Sequence, residues 1–105
     1  MKEKILLFIP MYNCKNQITR VLDQIDDKVR KYIDEVIIVD NGSTDGGRDA
    51  VLTYIKNTNT VGFIKLLKNK ENYNLGGSQK VAFSYAIENN FDYFIILHGD
   101  DQGNI

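Results

Sequence analysis

Apolar positions along the chain follow two alternating spacings. Ile5 to Ile9 is an unbroken apolar run, as expected for a strand buried on both faces. Ile18, Val21, Leu22, Ile25 and Val29 then recur at three- and four-residue steps, which predicts one amphipathic helix. Val36 to Val39 reads as a second buried strand, ending at Asp40. Asn41-Gly42-Ser43-Thr44 is turn chemistry. Ser43 or Thr44 is expected to cap a helix that runs to Lys56 or so, with Val51, Leu52 and Ile55 inward. Val61 to Leu67 predicts a third strand and Asn72 to Gly77 a loop. Val81, Ala82, Tyr85 and Ala86 mark a third helix, and Phe94 to Leu97 a fourth strand that ends at His98.

The order β-α-β-α-β-α-β implies an α/β fold: a three-layer sandwich around a mostly parallel sheet of about four strands, with right-handed crossovers. In such sheets ligands bind outside the carboxyl ends of the strands. Three polar segments fall at that edge: Pro10-Met11-Tyr12-Asn13, Asp40-Asn41-Gly42-Ser43 and His98-Gly99-Asp100-Asp101. Their coincidence points to one site.

The totals narrow the field. The 105 residues make one domain, residues 1–105. A chain this size hides roughly two-thirds of its unfolded surface. The 43% apolar and 26% charged fractions are those of an ordinary globular protein. A net charge of -1, with scattered lysines, argues against nucleic acid or an anionic membrane as partner. The single cysteine, Cys14, excludes an internal disulfide and a multi-cysteine metal site. The apolar run before Pro10 is too short for a signal peptide or a spanning helix. The expected location is cytoplasmic, with membrane association left to segments outside these residues.

Each polar segment has a chemical reading beside a plainer one. Asp40, at a buried strand end, is placed to accept from a ribose hydroxyl or a base N–H; the plainer reading is a turn aspartate. The Pro10 backbone can floor a base, and Tyr12 offers a ring face or hydroxyl. Asn13 is a ligand contact or a cap of the first helix. Gly76 and Gly77 let backbone approach a ligand at a helix start, where Lys80, in the first turn, reaches a diphosphate or stays a solvated lysine. Asp100 and Asp101 at a strand end suit Mg2+ or Mn2+, which then bridges diphosphate oxygens; the plainer reading is a polar turn. His98 is a ligand, a donor to phosphate or a strand-end histidine packed beneath the site.

Taken in order, Ile9-Pro10-Met11-Tyr12-Asn13, Val36 to Asp45 (through Asp40-Asn41-Gly42-Ser43-Thr44-Asp45), Asn74-Leu75-Gly76-Gly77 with Lys80, and Leu97-His98-Gly99-Asp100-Asp101-Gln102 resemble glycosyltransferase family 2. The likeness covers essentially the whole chain, and its last segment looks most like the dolichyl-phosphate-mannose-synthase-like branch. The resemblance implies a GT-A fold, of which this chain is the Rossmann-like, nucleotide-sugar-binding half. It implies that Pro10, Tyr12 and Asp40 hold the nucleoside of a UDP- or GDP-sugar. The family's Asp-x-Asp motif holds the divalent metal and the donor diphosphate. Laid on that motif, His98 stands where the first acid belongs, Gly99 is the middle residue and Asp100 is the second acid and principal metal ligand. Asp101 is one place later. The family implies transfer with inversion to an acceptor, a lipid phosphate or a glycan, deprotonated by a carboxylate base further along the fold.

Two other readings stay open. A sugar-phosphate nucleotidyltransferase wants a glycine-rich triphosphate loop after the first strand, and Met11-Tyr12-Asn13-Cys14-Lys15-Asn16 has no glycine. A non-catalytic nucleotide-binding or interaction module draws support from His98 and the short length. On the glycosyltransferase reading, the chain is the donor part of a longer domain without its acceptor part. It is then inactive alone and self-associates through an uncovered sheet edge.

Overall fold

Two aspartates fix where the sheet starts. In the computed structural model, which describes residues 3–68 and 75–97, strand β1 spans Ile5–Met11. The Ile5 amide donates to Asp34 Oδ2 and the Lys4 amide to Asp92 Oδ2, each at 2.7 Å. Asp34 immediately precedes β2 (Glu35–Asp40), and Asp92 precedes β4 (Tyr93–Ile96). Each carboxylate thus pins a neighbouring strand to the start of β1. With β3 (Ile64–Lys68) outside β2, the strand order is β3-β2-β1-β4 and every pairing is parallel.

Alternate residues of the central strands face opposite layers. Leu7, Ile9 and Met11 of β1 join Val36 and Ile38 of β2 beneath α1 (Lys15–Asp23) and α3 (Gly47–Thr58). Those helices contribute Ile18, Val21, Leu22, Val51 and Ile55. Leu6, Phe8, Ile37 and Val39 face the other way, under Ala82 and Ala86 of α4 (Leu75–Glu88). The alanines let α4 approach closely, and Phe8 stacks on Phe94 across β1 and β4 at 5.6 Å between ring centres. Burying a side chain such as Phe8 or Ile38, both fully enclosed, contributes about 1.5–3 kcal/mol. At the amino edge, Tyr85 of α4 donates to Glu35, and Lys65 of β3 pairs with the same carboxylate at 2.7 Å.

Several expected boundaries move. The first helical stripe is split: α1 ends at Asp23, and a separate α2 (Asp27–Arg30) follows. Asp26 causes the break by accepting from the Val29 amide at 3.0 Å, a cap that starts a new helix. Ile25 and Val29 still pack on the core, so the apolar spacing survives the break. Val61 is 80% exposed and makes only an isolated bridge, because Gly62 turns the chain at φ 92 before β3 begins. Leu52 is 51% exposed, and Tyr54 packs on the core from α3 in its stead.

The two sheet edges differ in chemistry. The β3 edge carries exposed Lys65 and Lys68. The β4 edge exposes Tyr93, Ile95 and Ile96 instead, beside an apolar groove of about 270 Å3 that Ile5, Val29 and Ile33 help to line. No helix among the described residues is long and apolar enough to cross a membrane.

Candidate functional site

β1 and β2 run in register to their carboxyl ends. Pro10 lies opposite Val39 and Met11 opposite Asp40. One more rung, from the Asn41 amide to the Met11 carbonyl at 2.9 Å, carries the pairing past the last strand residue. Tyr12 follows directly and is 49% exposed, one residue beyond the Met11 that pairs with Asp40.

Beyond Tyr12 the two loops are tied together. Asn13 takes a left-handed conformation, φ 51, which asparagine tolerates better than most residues. Its side-chain oxygen accepts from the Thr44 amide at 2.8 Å, and its own amide donates to Ser43 Oγ at 2.9 Å. Asn13 is therefore engaged across the loops and does not cap α1. A second tie lies one step further out. Asp45 Oδ2 accepts from the Lys15 amide at 3.0 Å, and Asp45 Oδ1 accepts from the Gly47 amide at 2.9 Å. Lys15 opens α1 and Gly47 opens α3, so one carboxylate sits at both helix starts. The N-cap of α3 is Gly46, at φ 86, and neither Ser43 nor Thr44 caps it as the sequence predicted.

Asp40 sits inside this arrangement with none of its surface exposed. Its Oδ1 accepts from the Ser43 amide at 3.1 Å. Its Oδ2 has no hydrogen-bond partner among the described residues. The nearest opposite charge is Arg48 Nε at 3.9 Å, on a side chain 41% exposed. A buried carboxylate oxygen with no donor costs about 1–3 kcal/mol or more. Its chemical capacity is to accept one hydrogen bond at the carboxyl edge of the sheet.

The remaining candidates divide. Gly76 lies in the first turn of α4, which starts at Leu75, so it is helical and not part of a loop. Lys80 is exposed and falls in the second turn, not the first. It borders a shallow groove with Leu67, Ser84 and Glu88, separate from the Asp40 and Tyr12 pair. His98, Gly99, Asp100 and Asp101 lie outside the described residues. Among the described residues no group of three or more His, Cys, Asp or Glu could hold a metal ion.

Sequence reasoning passed over Arg48 and gave Asp45 no role of its own. A cation in the first turn of a helix opposes the helix dipole. That anomaly at Arg48 was the available signal for a carboxylate nearby.

The chain matches glycosyl transferase family 2 over residues 6–104. Among solved structures, it is similar to a mannosyltransferase from Pyrobaculum calidifontis in complex with GDP-Man and Mn2+, at 24% identity and TM-score 0.80, over 95% of this chain and 28% of that one. It is also similar to S. aureus TarS, at 25% identity and TM-score 0.72, over 92% of this chain and 16% of that one. S. aureus TarS 1-349 in complex with UDP gives 23% identity and TM-score 0.73, over 92% and 27% of the two chains. The chain thus spans less than a third of the length of each. No curated protein matches the sequence significantly. The four parallel strands and their helices are the Rossmann-like part of a GT-A fold, as the sequence led one to expect.

Proposed function

The chain belongs to glycosyl transferase family 2, and from that premise we propose that it forms the donor side of a glycosyltransferase, holding the nucleoside of a UDP- or GDP-sugar at the carboxyl edge of its sheet. The observation that carries this reading is the orphaned Asp40 Oδ2. A fold seldom leaves a buried acceptor without a donor. The imide N–H of a base or a ribose hydroxyl supplies the missing hydrogen. On this reading Tyr12, half-exposed directly after β1, offers a flat wall and the Pro10 backbone a floor for the base. Access to Oδ2 moves the Arg48 side chain aside.

The donor diphosphate is assigned to the α4 start at Leu75 and Gly76 and to a divalent metal held by Asp100, with Asp101 beside it. The starts of α1 and α3 already carry the Asp45 carboxylate, which repels a second anion there. The mannosyltransferase and a solved GalNAc-T7 are complexes with Mn2+, which supports Mn2+ or Mg2+ here. The metal, when bound, supplies charge stabilisation to the departing diphosphate. Residues 1–105 act as one donor-binding domain, and sugar passes with inversion to a lipid phosphate or a glycan. The compartment is the cytoplasm, with which the single buried thiol of Cys14 agrees. The β4 edge, apolar where the β3 edge is charged, is the surface through which the chain meets a second copy of itself.

Titration calorimetry with UDP and with GDP, each with Mn2+, tests the donor site. The expected result is metal-dependent binding that Asp40→Asn weakens and Asp100→Ala strips of its metal dependence. No heat and no thermal shift at millimolar nucleotide would end this reading.

A further inference from the structure

We infer that Asp45 is a positioning residue for the nucleoside site, acting through backbone and never touching the ligand. The inference rests on the donor-site reading above. An ordinary N-cap side chain serves the helix it precedes. Here neither N-cap residue, Cys14 for α1 or Gly46 for α3, makes a side-chain cap. Both helices draw on Asp45, at 3.0 Å to the Lys15 amide and 2.9 Å to the Gly47 amide. A negative charge shared by two helix starts is favoured by both dipoles.

The consequence lies upstream of each helix. Tyr12 stands just before the start of α1, and Asp40 ends the strand that leads into the Asp45 turn. Asp45 therefore fixes the spacing of the two walls between which the nucleoside sits. The Asn13 tie to Thr44 lies nearer the site but joins loop to loop. Asp45 joins helix to helix, and the helices pack on the core. Local geometry is built around this bridge. Gly46 turns left-handed at φ 86, so the chain can curl back. At Gly47 an added Cβ would meet Asp45 Oδ1 at 3.1 Å, closer than ordinary contact, so with a side chain there the carboxylate has to give by a few tenths of an ångström.

The test uses the whole chain and two readouts. Amide hydrogen exchange reports the bridge, and titration with UDP and GDP in the presence of Mn2+ reports the site, well below each variant's melting point. In Asp45→Ala, the Lys15 and Gly47 amides should lose protection together. Affinity for whichever nucleotide binds should fall about tenfold, as expected if the competent arrangement drops to roughly a tenth of the population. Asp45→Asn keeps one acceptor oxygen, so one of the two amides should stay protected and the affinity loss should be smaller. Gly47→Ala should weaken binding with Asp45 intact. Should Asp45→Ala fail to fold, the other two variants carry the same comparison.

A purely structural cap predicts lower melting points with nucleotide affinity unchanged in the folded protein, and that result overturns the role. Retained protection at both amides in Asp45→Ala overturns the bridge itself. If the unsubstituted chain binds neither nucleotide, the donor-site reading fails and this role falls with it. If it binds and Asp45→Ala binds equally well, only the role of Asp45 falls.

Discussion

Arg48 Nε stops 3.9 Å from Asp40 Oδ2, within reach of charge attraction and outside hydrogen-bond range. The fold has brought a cation to a buried carboxylate without completing the pair. Asp40→Asn separates the two roles this leaves open. The amide keeps an oxygen for the Ser43 N–H and removes the buried charge. Folding stability in urea should change by less than about 1 kcal/mol, or rise. Nucleotide affinity by calorimetry should fall at least about tenfold, the worth of a hydrogen bond to a charged group. A large stability loss with unchanged affinity would make Asp40 a turn residue only.

The Glu35 cluster should behave in the opposite way. Glu35 holds Tyr85 of α4 and Lys65 of β3 at the amino end of β2, the far end from Asp40. Glu35→Ala should cost about 1–2 kcal/mol, because the half-buried Tyr85 hydroxyl loses its acceptor. Nucleotide affinity should not change. Denaturation and calorimetry on one preparation distinguish the outcomes.

Tyr54 gives a pH prediction. Burial first, then its hydrogen bond to Asp23 and the charge of Asp23, push the phenol up from 10.0 to about 12. The folded state therefore holds this proton after the unfolded chain has released it. Stability from this group is complete below pH 10 or so and is lost as pH rises from there through about 12. Phenolate absorbance during an alkaline titration should show a late-ionising tyrosine that Tyr54→Phe removes. Tyr85 and Lys65 are also shifted upward, Tyr85 first by burial and Lys65 first by its hydrogen bond to Glu35. They fail in the same alkaline direction.

The β4 edge predicts concentration-dependent association. Ile95 is 47% exposed on an edge strand with no charged residue between Tyr93 and Ile96. Ile95→Lys gives this edge the protection that Lys65 and Lys68 give the other. Sedimentation should show the unsubstituted chain associating as concentration rises and the variant staying monomeric. Monomer at every concentration in both would remove a second copy from the list of partners.

The two central strands were legible because fully buried parallel strands read as continuous apolar runs, and Ile5 to Ile9 and Val36 to Val39 are such runs. Helix boundaries were less so. Apolar spacing reports which side chains face the core, and Ile25 and Val29 do so although Asp26 breaks the helix beneath them. Asp40 was legible because its position after a buried strand determines its burial. The task of Asp45 was not, because its partners are two backbone amides brought together by folding, and amides leave no residue-type signature. The capping reading of Asn13 fails because its side chain accepts from Thr44 across the loops, a partner that sequence spacing does not reveal. Lys80 was placed one turn too early because the α4 start was read past Gly77, two residues after Leu75.

The strand order has a kinetic consequence. Among the described strands β1 comes first in sequence and lies inside the sheet, yet its partner on one side is β4, with Lys4 and Asp92 joined across 88 residues. β1, β2 and β3 assemble from sequence neighbours. β4 reaches β1 only after the loop-closure entropy of the 88 residues between Lys4 and Asp92 has been met. During synthesis one flank of β1, including Phe8 and its stack with Phe94, stays open until β4 leaves the ribosome. In that interval the nascent chain is most exposed to mispairing. Changes that slow the docking of β4 should therefore raise aggregation more than their effect on equilibrium stability suggests.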